Sequence, residues 1–435
     1  MASFNDYLIT IDDAFYRLMM KKVAVIGAGV SGLTVAQLLK DKYQVVVYEK
    51  DAQPGGLIKC KRVEGSLFHT CGGHVFNSKY THVLDWFWSR FYQERDFVKA
   101  DRNSSVIMPD GQYVPYPIEN HVYMLTDDIV KGVVNDIITM TKQEDKDISN
   151  FEEFLVRRFG KTLYDIYFEP YNKKIWRRSL CDVPISWLEG KLPMPTVEEI
   201  IYNNFKQVKE KNFVHSTFWY EKENGSQFIA DSLAEGLDVR YSSDIDELTY
   251  YDNGKWQVGY DGEEYDMVVF CGNIKSLPHM IKGISLGQFS SLIEGLESHG
   301  TTSVFCKIEK NPYSWLYLPS EEYEAHRIIC TGNFSPTNNA NEDVMTGTVE
   351  FTDAISEAEI KKNLAKMPLH PQYICHQYNP YTYPIQDAHT REMISDLKKE
   401  LSPHNFFFTG RFADWEYYNM DVAMDAAMKT CSNIQ

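Results

Sequence analysis

The stretch Val23-Ala24-Val25-Ile26-Gly27-Ala28-Gly29-Val30-Ser31-Gly32-Leu33, followed by Val45-Val46-Val47-Tyr48-Glu49, constrains the fold more than any other part of the chain. An apolar run too short for a helix feeds a glycine-spaced turn. An apolar-periodic helix follows through Leu33, Ala36, Leu38 and Leu39, and then a second apolar run ends in an acid. That is the strand–turn–helix–strand order of a dinucleotide-binding unit. Gly27 allows the tight turn, Gly29 lets backbone approach a pyrophosphate, and Gly32 lets helix and strand pack closely. The helix N-terminus, beginning near Ser31, then offers unpaired N–H groups and a positive dipole end to phosphate. Glu49 stands where an acid accepts from a ribose hydroxyl.

The segment after the acid narrows the class of dinucleotide. Gly55-Gly56-Leu57 places a double glycine directly downstream, as in two-domain flavoproteins of the glutathione-reductase or amine-oxidase type, where such a turn runs against FAD. Near the C-terminus, Phe406-Phe407-Phe408-Thr409-Gly410-Arg411 reads as a buried strand ending in Gly-Arg. A short helix is expected over Asp421 to Met428, and Asn419 and Met420 lie at its entry. Two such sites at opposite ends of the chain imply one cofactor domain built from distant segments. An NAD enzyme with a chance Gly-Gly is the alternative.

Composition bounds the remaining choices. A chain of 435 residues is long enough for two or three domains. Its 44 basic and 61 acidic residues give a net charge of −17, which argues against broad binding to nucleic acid or anionic membrane. An anionic substrate would need a local basic cluster. The eight cysteines show no CxxC and no metal spacing, so no metal is expected and dispersed reduced thiols fit a cytoplasmic protein. No apolar run approaches the ~20 residues of a membrane span. Residues 1–19 carry Asp6, Asp12 and Asp13, lack a signal-peptide pattern, and read as an extension before Met20-Lys21-Lys22.

The expected fold class is α/β, with a Rossmann-type FAD-binding domain, a helical insertion and an antiparallel sheet domain. The cofactor domain is expected to combine 20–60, 225–300 and 395–435. Residues 121–210 form the helical insertion. Ile129, Val133, Val134, Ile137 and Ile138 share one helical face there, and helix starts are expected at Asn150 (with Glu153) and Thr196. A sheet domain takes 61–120, 211–224 and 301–394. Within it, residues 301–351 alternate as in a sheet with one exposed face, and Ser356 with Glu359 starts a further helix.

Four further segments carry chemistry: Thr70-Cys71-Gly72-Gly73-His74-Val75-Phe76, Val114-Pro115-Tyr116-Pro117-Ile118-Glu119-Asn120, Pro170-Tyr171-Asn172-Lys173-Lys174-Ile175-Trp176, and Trp315-Leu316-Tyr317-Leu318-Pro319 continuing through His326-Arg327 to Phe334-Ser335-Pro336. Together with Gly410-Arg411-Phe412-Ala413-Asp414-Trp415-Glu416-Tyr417, this ordered set resembles the UDP-galactopyranose mutase family, nearer its eukaryotic-type pattern. The resemblance touches most of the chain from Lys21 on.

The resemblance implies a non-redox flavoenzyme that interconverts the pyranose and furanose forms of a nucleotide sugar. Reduced FAD acts through N5 as covalent nucleophile, and NADH or NADPH serves as reductant. It implies FAD contacts from Gly27, Gly29, Ser31, Gly32, Glu49, Gly55, Gly56, Leu57, Gly73, Gly410, Arg411, Asn419 and Met420. Arg327, Tyr317 and Tyr417 match its diphosphate-binding residues, and Lys191 falls on its second phosphate-binding arginine. His74 matches the loop beside the flavin. Asn172 and Trp176, four apart on one helix face, match uridine-side positions, and Tyr116 and Tyr167 could stack on the base. Packing also accounts for Trp176, Tyr317 and Tyr417, a rigid turn for Tyr116, a surface position for Arg327, and a backbone-bonded loop for His74.

Departures from the family pattern point to a changed substrate. Lys191 keeps a charge but loses the bidentate fork of arginine. Glu119 replaces a glutamine and, when ionised, only accepts hydrogen bonds. Phe334 replaces a tyrosine. The expected partner is a nucleotide sugar, with a homo-oligomer compatible and nucleic acid excluded. A second reading is an FAD-dependent oxidoreductase of the amine-oxidase or protoporphyrinogen-oxidase type, which shares the frame. A third is a flavin-binding protein without turnover.

Overall fold

The computed structural model describes residues 20–142, 148–185, 195–208, 217–260 and 262–434. Its centre is a five-stranded parallel sheet in the order Phe406–Phe408, Met267–Phe270, Lys22–Ile26, Gln44–Tyr48 and Asp238–Arg240. The β-branched runs named above form its middle strands, with Val25 between Val269 and Val47. Both faces are covered, as continuous apolar strands require. Helices Val30–Leu39 and Met420–Ser432 pack on one face through Leu33, Ala36, Met424 and Ala427. A small four-stranded sheet and helix Thr390–Leu401 cover the other through Trp256, Ile394 and Leu397. The first and last strands of the chain's described length thus lie in one sheet.

A second, seven-stranded sheet runs in the order Gln372–Ile385, Glu297–Ile308, Met345–Thr352, Arg327–Ile329, Trp315–Tyr317, Ser104–Ile107 and Tyr113–Pro115. All pairings are antiparallel except that of Trp315–Tyr317 with Ser104–Ile107. The expectation of one exposed face fails at its middle strand: every residue of Met345–Thr352 is buried. Helical residues Tyr164, Tyr167 and Trp176 pack with Trp315, Tyr317 and Ile329 on one side. Ile360 and Leu364 of helix Glu357–Leu364 pack with Val349 and Phe351 on the other. The alternating Thr346, Thr348, Glu350 and Thr352 are therefore interior polar groups rather than a wet surface.

The helical segment contains Asp127–Met140, Phe151–Phe159, a π-turn at Tyr164–Phe168, Glu169–Trp176 and Val197–Lys206. Asn150 Oδ1 accepts from Glu153 N at 2.9 Å, and Thr196 with Glu199 forms a full capping box. Ser356 Oγ accepts from Glu359 N at the start of helix Glu357–Leu364. Helix Asp127–Met140 departs from the expected apolar face: Val133 is buried, but Val134 and Ile138 are exposed. A 3.6-residue period puts these five residues on a wide arc, and the neighbouring helices cover only its Ile129–Val133–Ile137 edge. Among the described residues no helix is long and apolar enough to cross a membrane. Residues 1–19 and Lys191 lie outside the described residues.

Candidate functional site

Three glycine segments distant in sequence meet at the edge of the parallel sheet. Gly27 adopts φ +103°, and a Cβ on Gly32 would stand 1.9 Å from the Gly27 carbonyl oxygen, so no larger residue fits there. Gly55 donates from its amide to the Ala28 carbonyl at 2.8 Å, which lays the double-glycine turn beside Gly29. Leu57 follows in the short 3-10 turn Gly56–Ile58. Gly410 closes the ring, its missing Cβ only 3.1 Å from Ser31 Oγ. Glu49 is buried and accepts from Ala28 N at 2.7 Å and Asp51 N at 3.0 Å.

Neither helix that starts here has a side-chain N-cap, and the second carries Asp421 in its first turn. Helix Val30–Leu39 begins at Gly29 with no side-chain cap and no acid in its first turn. Helix Met420–Ser432 begins at Asn419, also without a side-chain cap, and Met420 is buried behind it. Uncapped N–H groups at a helix N-terminus are a ready anion site. Open space surrounds the position of a Cβ on Gly29, where backbone can approach a ligand. At the far end of this cradle, His74 Nε2 and Arg411 Nε are buried with no hydrogen-bond partner among the described residues. The glycine ring, the uncapped helix start at Gly29 and these orphaned atoms fit a bound dinucleotide with a polar ring system at that end.

The seven-stranded sheet supplies the other wall, and its register does the positioning. Tyr317 pairs with Arg327, and Arg327 pairs with Glu350, so the three stand in one rung on adjacent strands. Arg327 Nε donates to Glu350 Oε2, and Glu350 Oε1 accepts from Gly72 N at 2.9 Å. Glu350 thereby ties the Gly72-Gly73-His74 loop to the arginine. Burial pushes the Glu350 carboxyl up, but Arg327 and His326 outweigh it and hold it at about 2. The Arg327 guanidinium is correspondingly held charged: burial lowers it, and Glu350 more than restores it.

Tyrosines complete the enclosure. Arg327 Nη2 donates to Tyr383 Oη at 3.3 Å, and Tyr383 stacks on Tyr417 with ring centroids 5.5 Å apart. The Arg411 guanidinium lies 4.0 Å over the Tyr417 ring. On the other side, Tyr317 packs against Tyr116 at 4.9 Å and edge-on to Tyr171, which stacks on Tyr167. Burial pushes the Tyr167, Tyr171 and Tyr383 hydroxyls up, so they stay protonated donors at neutral pH. Burial and then Arg411 pull the His74 imidazole down to about 4, so it is neutral at pH 7.

The sequence-predicted residues do not all fall in one place. Arg327, Tyr317, Tyr417, Tyr116, Tyr167, His74, Gly73 and Arg411 converge on this enclosure. Asn172 and Trp176 share helix Glu169–Trp176 beside it; Asn172 Nδ2 donates to the Phe168 carbonyl at 2.7 Å and Trp176 is buried. Glu119 is buried in the turn Ile118–Asn120. Phe334 is 1 % exposed and packs among Phe218, Tyr220, Trp315 and His69 in the same buried cluster as Tyr317. A phenylalanine there is apolar packing, which explains the absence of a hydroxyl. Sequence reading missed Glu350, Tyr383, Tyr171 and Arg102, whose Nη2 donates to Tyr317 Oη at 3.0 Å. The one available signal was Glu350, a lone acid inside a run that reads as a buried strand.

The parallel sheet and the glycine cradle define a Rossmann-type dinucleotide-binding fold. The family model for the NAD(P)-binding Rossmann-like domain matches residues 25–91. A protein from Klebsiella pneumoniae named a probable UDP-galactopyranose mutase is 23% identical over 433 residues, covering 94% of each chain. A dTDP-fucopyranose mutase from Escherichia coli is 28% identical over 183 residues, covering 40% of this chain and 46% of that one. A crystal structure of reduced UDP-galactopyranose mutase shares the fold, with a TM-score of 0.84 at 22% identity, covering 95% of each chain. Within its class, then, the chain resembles the UDP-galactopyranose mutase family over nearly its whole length.

Proposed function

We propose that this protein is an isomerase of the UDP-galactopyranose mutase type, interconverting pyranose and furanose forms of UDP-galactose or a close relative. The observation that carries the reading is the Tyr317–Arg327–Glu350 rung, joined through Gly72 to the loop that faces the cofactor cradle. A diphosphate leaving group needs a fixed cation and hydroxyl donors, and this rung supplies both. The two pyranose-mutase relatives support the same chemistry. A discontinuous cofactor domain, the helical insertion and the sheet domain are the organisation this reading uses.

Residues of the cradle would hold FAD: Gly27, Gly29, Ser31, Gly32, Glu49, Gly55, Gly56, Leu57, Gly73, Gly410, Arg411, Asn419 and Met420. When bound in its reduced form, with NADH or NADPH as reductant, the flavin supplies the nucleophile N5 to the anomeric carbon. Arg327 takes up charge on the departing diphosphate, and Tyr317 and Tyr417 donate to its oxygens. Lys191 adds a second cation. His74, neutral at pH 7, satisfies its orphaned Nε2 on the cofactor or the sugar. Asn172, Trp176, Tyr116, Tyr167 and Glu119 hold the nucleoside, and the aromatic walls exclude water from the opened sugar.

Incubating the dithionite-reduced protein anaerobically with UDP-galactofuranose, and separating products by chromatography, tests this reading. UDP-galactopyranose formed only in the reduced state is the expected result. Unchanged substrate for every nucleotide sugar tried, together with stoichiometric oxygen consumption on an amine or porphyrinogen, would replace it with the oxidase reading.

A further inference from the structure

The mutase reading leaves Arg102 without a role. This residue stands in the short turn between strands Phe97–Asp101 and Ser104–Ile107 and is half-buried. Its neighbour Asn103 anchors the turn: the Asn103 carbonyl accepts from Ser314 N at 2.7 Å, and Asn103 Nδ2 donates to the Pro312 carbonyl at 2.8 Å. The Arg102 side chain is then held along its length. Nε donates to Ser104 Oγ at 3.2 Å, and the guanidinium lies 5.8 Å from the Tyr116 ring and 5.4 Å from the Trp315 ring. Nη2 reaches Tyr317 Oη at 3.0 Å.

Chemistry fixes the direction of that last bond. A guanidinium carries N–H donors and no acceptor, so the tyrosine oxygen accepts. Tyr317 has one proton, and it points away from Arg102. Among the described residues no group accepts it. Tyr317 is buried and pairs with Arg327, so the two side chains stand next to each other on one face of the sheet. Tyr383, on the other side of Arg327, repeats the arrangement. Its oxygen accepts from Arg327 Nη2 at 3.3 Å, and among the described residues its proton also finds no acceptor. Two hydroxyls flanking Arg327 are thus each held by a guanidinium as donors. Leaving such protons unpaired is costly, and an anion that presents only acceptor oxygens relieves the cost.

We propose, resting on the mutase reading, that Arg102 is a positioning residue of the diphosphate site: it occupies the oxygen of Tyr317 and so commits the hydroxyl proton to a phosphoryl oxygen. A tyrosine hydroxyl left to itself both donates and accepts, and rotates to suit its partner. With its oxygen taken by a cation it only donates, and polarisation by the guanidinium strengthens that donation. Arg102 acts through Tyr317 and needs no contact of its own with the ligand. The site therefore favours groups that offer acceptors alone, as a diphosphate does, over groups that offer hydroxyl donors.

Calorimetric titration of the purified FAD-bound protein with UDP, run as a double-mutant cycle, tests this. Tyr317→Phe and Arg102→Met should each weaken UDP binding by about 10-fold, the worth of one hydrogen bond to a charged group. Adding Arg102→Met to Tyr317→Phe should change affinity by less than about 2-fold, because the hydroxyl through which Arg102 works is gone. Arg102→Lys, which keeps a group that only donates, should regain most of the affinity that Arg102→Met loses. A purely structural disturbance of the turn would instead lower affinity equally with and without the Tyr317 hydroxyl. Should Arg102→Met fail to fold, Arg102→Gln, which no longer compels the tyrosine oxygen to accept, takes its place in the cycle. A further loss of about 10-fold in the double variant, or parent-like UDP affinity in the Arg102 variant, overturns this inference alone. No UDP bound by the parent, with FAD in place, overturns the mutase reading and this inference with it.

Discussion

Replacing Glu350 with glutamine keeps the side-chain shape and an acceptor for Gly72 N but removes the charge opposite Arg327. Glu350 is fully buried, and Arg327 beside it is half-buried. The native carboxyl sits at about 2 against an ordinary 4.5. At about 1.4 kcal/mol per unit, that displacement corresponds to roughly 3 kcal/mol of folding stability at pH 7. Removing one partner of a buried ion pair independently suggests about 3–5 kcal/mol. The sign follows from the direction: a depressed carboxyl contributes fully above pH 4.5, and its contribution is lost as pH falls toward 2. Urea unfolding should therefore show Glu350→Gln destabilised by about 3 kcal/mol at pH 7, with the gap narrowing below pH 4.5. The unpaired guanidinium then has only the ligand to compensate it, so UDP-galactose should raise the variant's melting temperature more than the parent's. A variant within about 0.5 kcal/mol of the parent at pH 7, an ordinary surface-substitution effect, would refute the reasoning.

The remaining roles make separable predictions. Arg327→Ala should weaken nucleotide-sugar binding by about 10- to 100-fold, the worth of charge-assisted hydrogen bonds, while the flavin absorbance of the purified protein is retained; loss of FAD instead would contradict its assignment. Gly32→Ala should abolish or sharply reduce bound flavin, since its Cβ would overlap the Gly27 carbonyl, and a normally loaded variant would show the helix can shift. Lys191→Arg should preserve or raise UDP affinity and Lys191→Ala should lower it by calorimetry; unchanged affinity in both removes Lys191 from the phosphate site.

What was legible in the sequence was largely local. The strand–turn–helix at Val23–Leu33 declares itself because its apolar run, glycines and helix are contiguous, and the parallel sheet followed from it. Arg327 and Tyr317 were legible through a motif that keeps them a fixed distance apart. Glu350 was not, because its meaning is the register of strand Met345–Thr352 against Arg327–Ile329, and register is a tertiary fact. The same gap explains the misread sheet face: alternating threonines look solvent-facing until the helical segment is known to cover them. Val134 and Ile138 show the converse, apolar residues on a helical arc wider than its neighbours cover.

The central claim is isomerisation at a reduced flavin without net electron transfer. The direct measurement is an electron count: reduce the FAD-bound protein with one equivalent of dithionite under argon, add excess UDP-galactofuranose, and follow product and flavin absorbance together. Many molecules of UDP-galactopyranose per reduced flavin, with the flavin still reduced at the end and no product from oxidised protein, is the predicted result. Product limited to one molecule per flavin, or flavin oxidised in step with turnover, would contradict it.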